Sequence, residues 1–304
     1  MLLLDYEKIA ACLHSYRIVA MGESTHGTHE FFVAKVEIFK LLIQKYGFNT
    51  FFIESVDDHC AALDTYVRTG KGDIEALVNH LFYFYRSHEL LEFFNWLRQQ
   101  HQQHPVQIIG LDERGYVKEY ASNYDLDKRN LRDKRMALVI KNHTMKYPTA
   151  KCMVWAHDDH IAAYVNAPLS VKEQLAPMGR HLRRWYKKDY YNVALLFGQG
   201  HFSAASIDES GTSSNAAMVT HTIKTVPKDS WEYKLSQQYQ LPIFLEGPSF
   251  KSLARRYEVH KKRSIGWGLK DSQINESMIW IDLSQAYSSV LFFPRTRASN
   301  TLEQ

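Results

Sequence analysis

The sequence predicts a three-layer α/β fold, in which a central, mostly parallel sheet carries helices on both faces and short antiparallel additions at its edges. Short apolar runs alternate with longer amphipathic stretches over the first 200 residues, which is the pattern of βαβ units. These runs are apolar throughout, as is typical of strands that are covered on both faces. Because no internal repeat or low-complexity tract is visible, we interpret residues 1–304 as a single domain.

The predicted elements alternate along the chain. Strands are expected at residues 17–21, 49–53, 106–111, 151–155 and 191–197. Helices are expected between them at residues 29–46, 57–69, 87–103 and 127–145. Gly47 is suited to end the first of these helices, and Ser87 is suited to cap the third.

The last hundred residues show a different pattern. Residues 206–230 are rich in Ser, Thr, Asn and Asp, and they predict a long loop. Short strands are expected at residues 241–245, 278–281 and 290–293. We interpret these strands as sheet edges or a small antiparallel addition, and not as a second domain.

The composition indicates an ordinary globular protein of a reducing compartment. Hydrophobic residues make up 45% and charged residues 23% of the chain. The three cysteines are odd in number and form no CxxC pair, which argues against a disulfide framework. The N-terminal residues do not predict a secretory signal, and the sequence shows no apolar run of about 20 residues. We therefore expect a cytoplasmic protein with no membrane partner.

The charge pattern leaves the partners more open. The formal net charge of +4 is too small to predict a nucleic-acid partner. Basic residues nevertheless cluster at positions 181–188 and 260–263. These clusters fit a solvated helix face and a surface loop, or a rim that attracts an anionic substrate or carrier.

Acids and histidines follow four of the predicted strands. In open α/β sheets, ligands bind outside the carboxyl ends of the strands, so residues that follow different strands meet at one edge. Such a convergence indicates a functional site better than any single polar loop does. The residues concerned are Glu23 and His26 after the first strand, Glu54 after the second, Asp112 after the third, and His157 and His160 after the fourth.

These residue types suit acid–base chemistry on water. Histidine has the unperturbed pKa nearest to neutral pH, and it is therefore the usual general base. A carboxylate beside it selects its tautomer and stabilises the imidazolium that forms. Two close carboxylates repel each other, so that one of them can retain a proton to donate.

Three other sites fit parts of the same motifs. The pairs His26/His29 and His157/His160 have HxxH spacing, which allows a divalent metal, but they lack the HExxH pattern. Ser24 lies in GxSxxG and not in the GxSxG of a nucleophile elbow, so it is better explained as a turn residue. The same loop carries an acid where a phosphate-binding loop would not. We expect no metal and no cofactor.

The motifs also resemble those of a known family, the erythromycin esterase-like proteins. The similarity extends over nearly the whole chain, and its first and fourth motifs are the most specific. The matching segments are residues 22–28 with 30–32, then 52–54, 110–112, 155–161, 177–179 and 190–201.

The resemblance implies an α/β fold with a site at the sheet edge and metal-independent opening of a macrolide lactone. It implies that His26 is the general base on water. It also implies that Glu23, Glu54, His157 and His160 orient the water and stabilise the transition state.

Three departures from the family pattern bear on the substrate. Lys35 stands where an arginine is usual, which keeps the charge but loses the bidentate fork. Asp158 stands where the family usually has Asn. Only about 40 residues separate Asp112 from Trp155, whereas macrolide-cleaving members carry a much longer helical insertion there. The short connection argues against a substrate as large as a macrolide.

We predict a carboxylic ester hydrolase whose substrate is a small-molecule or peptide-like ester. Lys35 and Arg86 are expected to supply positive charge to the pocket, and Asp112 and His201 are further candidates for substrate binding. His157 or His160 is expected to donate to the oxyanion or leaving group. The alternatives are a natural-product tailoring enzyme, a metal-dependent hydrolase and a non-catalytic small-molecule binding protein. The sequence predicts no oligomeric state.

Overall fold

The computed structural model describes residues 4–113, 126–164, 175–206, 218–266, 268–270 and 273–302. Its strands are β1 (Ile18–Met21), β2 (Thr50–Val56), β3 (Gln107–Asp112), β4 (Cys152–Trp155), β5 (Tyr190–Ser206), β6 (Met218–Ile223), β7 (Ile243–Leu245), β8 (Val259–Arg263), β9 (Gly268–Leu269), β10 (Met278–Asp282) and β11 (Ser289–Thr296).

The α-helices of the described residues are α1 (Tyr6–Leu13), α2 (His29–Tyr46), α3 (Asp57–Thr69), α4 (Ile74–Asn79), α5 (His88–Gln100), α6 (Leu126–Lys146), α7 (Asp158–Ile161), α8 (Met178–Tyr186), α9 (Trp231–Gln238), α10 (Gly247–Tyr257) and α11 (Leu283–Ala286). Two 3-10 turns lie at Tyr83–Tyr85 and Lys187–Asp189. Within the described ranges, no helix combines the length and the apolar character that crossing a membrane requires.

The main sheet is mostly parallel, as the sequence predicts. Its strand order is β3-β2-β4-β1-β5-β11-β7, and the neighbours from β3 to β11 run parallel. β7 pairs antiparallel with β11, and β6 pairs antiparallel with the second half of β5. β8 and β10 form a separate antiparallel ribbon. The predicted α/β class with antiparallel edge additions is therefore confirmed.

Each strand of the centre is covered on both faces. Along β1, Val19 and Met21 join one apolar cluster, while Ile18 and Ala20 join the other. The first cluster is completed by helices α1, α2, α3 and α5, and the second by α6, α8, α9 and α10. This two-sided burial explains why the strands read as unbroken apolar runs.

Local signals place the helix ends correctly. Helix α2 ends at Gly47, whose φ of 71° lies in the left-handed region that favours glycine. Helix α5 begins after Ser87, whose side chain accepts a hydrogen bond from the Leu90 backbone N–H.

Three predictions for the C-terminal third are wrong. The expected loop at 206–230 contains β6, and its residues 207–217 lie outside the described part of the chain. The segment 290–293, expected at an edge, is an interior strand because β7 adds beyond β11. The basic segment 260–263, interpreted as a surface loop, pairs in the β8–β10 ribbon, and its last two residues are buried. Long-range strand pairing decides these elements, and local composition does not report it.

Candidate active site

The four motif-bearing strands are neighbours in the sheet. Their order, β3-β2-β4-β1, brings their carboxyl ends to one edge, where all the predicted acids and histidines of the four strands lie. A register shift between Ile53 and Val56 places Glu54 in a bulge of β2. Gly110 permits this bulge, because a Cβ there would lie 2.7 Å from the Ser55 carbonyl oxygen.

Glu23 is the centre of one half of the site. Its Oε1 accepts hydrogen bonds from His26 Nδ1 at 2.8 Å and from the Tyr85 hydroxyl at 3.0 Å. Its Oε2 accepts from Lys35 Nζ at 2.5 Å and from Trp155 Nε1 at 3.1 Å. The carboxylate is fully buried, and four donors fix both of its oxygens.

The charges around Glu23 keep it ionised. Burial alone would raise the pKa of Glu23, but Lys35 and His26 outweigh it and hold the pKa below its ordinary value. Burial lowers the pKa of Lys35 to about 8, against the opposing charge of Glu23. Lys35 Nζ also lies 3.9 Å from the centre of the Trp155 ring, which packs against the ammonium.

His26 has one ring nitrogen held and the other available. Because the Glu23 carboxylate can only accept, the neutral form of His26 has its proton on Nδ1 and its lone pair on Nε2. Nε2 makes no hydrogen bond to any residue that the structure describes. The ring stacks on Phe84 with centroids 4.0 Å apart and lies 5.0 Å from the His157 ring. A histidine that acts as a general base requires such an arrangement, with one nitrogen fixed and the other available.

Glu54 is the centre of the other half. Its Oε1 accepts from Arg132 Nη2 at 2.8 Å and lies 3.2 Å from His160 Nε2, while its Oε2 accepts from the His157 backbone N–H at 2.8 Å. Arg132 also donates through Nε and Nη2 to the two carboxylate oxygens of Asp112, at 2.8 and 2.7 Å. Burial would raise the pKa of Glu54, but His160 and Arg132 hold it well below its ordinary value.

His160 lies between two carboxylates. Its Nδ1 is 2.8 Å from Asp133 Oδ1, and its Nε2 faces Glu54. Burial would lower the pKa of His160, but Asp133 and Glu54 outweigh it and raise the pKa to about 10. At neutral pH His160 is therefore a cation, whose Nδ1 donates to Asp133 and whose Nε2 forms an ion pair with Glu54. Arg132 Nη1 lies 2.9 Å from Nε2, which is then a close approach of two donors.

His157 is neutral and has both ring nitrogens engaged. Nε2 donates to the Ile265 carbonyl oxygen at 3.1 Å, and Nδ1 accepts from the Asp159 backbone N–H at 3.2 Å. Burial lowers the pKa of His157 to about 3. In this arrangement neither His157 nor His160 has a ring nitrogen left to donate to a leaving group, which the sequence prediction required of one of them.

Residues 262–265, here called the strap, tie the first and fourth motifs together. Ile265 accepts from His157 through its carbonyl and donates to the Ser24 carbonyl through its N–H. Ser264 Oγ donates to Asp159 Oδ2 at 2.5 Å. Lys262 Nζ donates to Asp158 Oδ2 at 3.1 Å, with both side chains fully buried.

Asp158 packs tightly against the first motif. Its backbone N–H donates to the Glu23 carbonyl oxygen. A Cβ on Gly22 would lie 2.0 Å from Asp158 Oδ1, so only glycine fits there. Burial raises the pKa of Asp158 to about 6, although the charge of Lys262 opposes it. An aspartate at this position, where the family usually has asparagine, needs a balancing positive charge. Lys262 supplies that charge.

The remaining predicted residues divide into two groups. Lys35 and Asp112 lie within the cluster, in contact with Glu23 and Arg132 respectively. Arg86 is half-buried and donates through Nε to the Leu81 carbonyl oxygen, and it pairs with no carboxylate of the described residues. His201 is exposed on β5, where its Nδ1 lies 3.0 Å from Thr222 Oγ1. The structure does not bring Arg86 or His201 to the cluster.

Sequence reasoning missed several members of the site. Arg132 and Asp133 come from α6, and a signal for them existed. Arg132, Met136 and Ile140 are spaced by four residues on one stripe of the helix, which puts the arginine on the buried face. Tyr85 carries no specific sequence signal, because it lies in a run of four aromatic residues at 82–85. The strap had no local signal, because its position depends on long-range pairing.

The model of the erythromycin esterase family matches this chain at residues 43–123 and 114–296, most of its length. The chain belongs to the erythromycin esterase family. Erythromycin esterase type II of Escherichia coli is 26% identical over 110 residues, which are 36% of this chain and 26% of that relative. The chain therefore matches about a quarter of the length of this curated relative.

Solved structures share the fold of this family member. A mutant of the erythromycin esterase EreC in its open conformation has a TM-score of 0.71 at 14% identity, and the match covers 99% of this chain and 97% of that one. A crystal structure described as a succinoglycan biosynthesis protein has a TM-score of 0.75 at 19% identity, covering 99% and 93%. At these identities the likeness supports the fold alone.

Proposed function

We propose that the protein hydrolyses an ester or lactone bond, with His26 as the general base on water and without a metal ion. The observation that carries the proposal is the buried Glu23–His26 pair, in which one nitrogen is fixed by a carboxylate and Nε2 has no partner among the described residues. Membership of the erythromycin esterase family supports ester hydrolysis as the reaction class.

In the proposed reaction, His26 Nε2 removes a proton from water as the oxygen attacks the carbonyl carbon. Glu23 stabilises the resulting imidazolium through Nδ1–H. The tetrahedral intermediate collapses with cleavage of the carbon–oxygen bond, and the imidazolium returns its proton to the departing alkoxide. Water and ester become one acid and one alcohol, so a single histidine supplies both the base and the acid.

The second half of the site has a positioning role in this proposal. Glu54 holds the His157 backbone and Arg132, so its lone pairs face the protein and not water. His157 forms one wall beside His26. His160 and Arg132 balance the buried carboxylates, and Arg132 holds Asp112 through two hydrogen bonds. We propose this assignment in place of the expectations that Glu54 orients the water and that His157 or His160 is the acid.

We propose a smaller, peptide-like or carrier-bound ester as substrate in preference to a macrolide. Between β3 and β4 the described residues contain one helix, α6, and residues 114–125 lie outside the described part. The location we propose is the reducing cytoplasm, which suits the free cysteines Cys12, Cys60 and Cys152. A role in antibiotic resistance or natural-product biosynthesis would follow from the substrate.

A substrate panel tests the proposal. Purified protein is incubated with aryl esters, small lactones, acyl thioesters and erythromycin, and products are read by mass spectrometry as the gain of one water. Activity is expected on at least one ester or lactone, unchanged by a chelator and lost in His26→Gln. The matched control is His201→Gln, an exposed histidine outside the cluster, which should keep full activity. Loss of activity with chelator, or full activity in His26→Gln, contradicts the proposal.

A further inference from the structure

The outer face of α6 carries an apolar stripe. Leu131, Leu138 and Met145 are spaced by seven residues, which places them in one line along a helix. The side chains of Leu131 and Met145 are 44% and 69% exposed, and Leu138 is half-buried. The opposite face of the same helix packs into the core. The stripe is therefore exposed although the helix is otherwise well packed.

Basic side chains flank this stripe on both sides. At 100° per residue, Lys134 and Lys141 lie on one side of the stripe, and Arg135 and Lys146 lie on the other. Lys134, Arg135 and Lys146 are exposed, and Lys141 is half-buried with its Nζ 4.6 Å from the Trp185 ring centre. A narrow apolar line between two rows of cations is the pattern of a helix that lies on an anionic interface.

Helix α8 widens the basic face. It runs beside α6 in the same direction, since Asp133 contacts Met178 at one end and Thr144 contacts Tyr186 at the other. Exposed Arg180 and Arg184 lie on α8, and exposed Lys187 and Lys188 follow it. We call α6, α8 and residues 187–188 the basic face.

The charge of the chain is concentrated on this face. Residues 126–150 and 175–189 contain 12 Lys or Arg and three Asp or Glu, or 11 and two without the buried Arg132 and Asp133. Of the chain's 37 basic and 33 acidic residues, 25 and 30 respectively lie elsewhere. The small net charge of the whole chain therefore hides a strongly basic surface on an otherwise acidic protein.

We propose that the basic face binds the surface of an anionic lipid bilayer. The cations contact headgroup phosphates, the stripe enters shallowly between the acyl chains, and Tyr147 and Trp185 lie at headgroup depth. A lipid surface fits better than a protein partner because the cations spread over two helices with no fixed constellation. Such binding needs no spanning segment, and it departs from the expectation of no membrane partner, which rested on the lack of a long apolar run.

The face also adjoins the candidate active site. Helix α6 carries Arg132 and Asp133 on its inner side, in the same half as Leu131 and Lys134. Lipid bound there would lie beside the edge of the sheet at which Glu54 stands. The lipid inference is independent of ester hydrolysis, because it concerns binding and not turnover.

Vesicle sedimentation tests the proposal. The full chain is mixed with vesicles of phosphatidylcholine alone, or with about 30% phosphatidylglycerol, at low ionic strength and at about 0.5 M salt. Binding is expected only to the anionic vesicles, and it is expected to weaken with salt. Lys134→Glu/Arg184→Glu should reduce the bound fraction at least about tenfold. Leu131→Ser/Met145→Ser should also weaken binding to anionic vesicles. It should change the salt dependence of binding less than the charge-reversal variant does.

The control variant is Lys71→Glu/Lys251→Glu, which makes the same change of charge at exposed lysines outside the basic face. It should bind anionic vesicles within about twofold of wild type. Equal binding to neutral vesicles, no binding at all, or an equal loss in the control would overturn the proposal. Binding to soluble polyglutamate or RNA without vesicle binding would overturn it in favour of an acidic macromolecule. Circular dichroism of each variant separates lost binding from lost fold.

Discussion

Two buried glutamates stand at one edge of the sheet and hold histidines in opposite ways. Glu23 fixes one nitrogen of His26, and the other nitrogen has no partner among the described residues. Glu54 faces His160, whose second nitrogen is bonded to Asp133. The same residue pair thus makes an available base in one half of the site and a structural cation in the other. The partner of the second nitrogen decides which role the histidine has.

The largest expected effect is the loss of the base. His26→Ala should reduce kcat by about a thousandfold or more, because nothing else in the described cluster offers a free imidazole nitrogen. Stability should fall by about 2–3 kcal/mol, since the variant loses one hydrogen bond to Glu23 and the packing of the ring on Phe84. Steady-state kinetics and urea unfolding measure the two quantities. If His26→Ala kept most of its kcat, His26 would not be the base, and the proposed difference between His26 and His160 would be wrong.

Substitution of Arg132 should lower the free energy of unfolding more than it slows the reaction. Arg132→Met leaves the carboxylates of Glu54 and Asp112 buried without a guanidinium, and unfolding should become easier by about 3–5 kcal/mol. The control is Arg135→Met on the same helix, which removes an exposed pair with Glu113 and should cost at most about 1 kcal/mol. Equal costs for the two variants would contradict the account.

The strap should behave as one unit with the fourth motif. Lys262→Met alone leaves Asp158 buried and unpaired, so it should destabilise the fold by about 3 kcal/mol. Asp158→Asn removes the need for the countercharge, and the double variant should recover most of that loss. Urea unfolding of both single variants and the double variant completes the cycle. Additive losses would show that the pair is not coupled.

The two histidines of the fourth motif should give stability slopes of opposite sign. The pKa of His160 is raised from 6.5 to about 10, so its contribution is complete below pH 6.5 and is lost as pH rises toward 10. The pKa of His157 is lowered to about 3, so the unfolded chain takes up the proton first and stability falls as pH drops from 6.5 toward 3. The free energy of unfolding of each variant, measured across pH, checks this. His160→Gln should remove only the loss of stability toward pH 10, and His157→Gln only the loss toward pH 3.

The smallest expected effect comes from Tyr85. Tyr85→Phe removes one of the four donors to Glu23 and should cost about 1 kcal/mol, with a fall in kcat of about fivefold. Because the ring remains, its packing on Phe84 is kept. A fall as large as that of His26→Ala would mean that the hydroxyl takes part in the reaction directly.

Local signals account for what the sequence predicted well. The ends of α2 and the cap of α5 follow from Gly47 and Ser87, and the strand ends follow from unbroken apolar runs. The four motifs then meet because parallel strands share an edge. The meeting of the four motifs can therefore be predicted without knowing any contact between distant parts of the chain.

The remainder depends on contacts that no local pattern reports. Arg132 is an exception, because it lies on the same face of its helix as Met136. That face is apolar and buried, so the helical spacing does predict a buried arginine. Lys262 and Ile265 reach the site only because β8 pairs with β10 and the strap then crosses the first motif. Which histidine nitrogens are engaged depends on these contacts, so local sequence alone does not report whether His157 or His160 has a nitrogen available for the predicted acid role.

The protonation state of His26 tests the central claim most directly. Nitrogen NMR of protein labelled at histidine, assigned with His26→Gln, distinguishes a protonated from an unprotonated ring nitrogen. We expect a proton on Nδ1, which faces Glu23, and an unprotonated Nε2. A resting tautomer with the proton on Nε2 would contradict it, because that nitrogen could then not remove a proton from water.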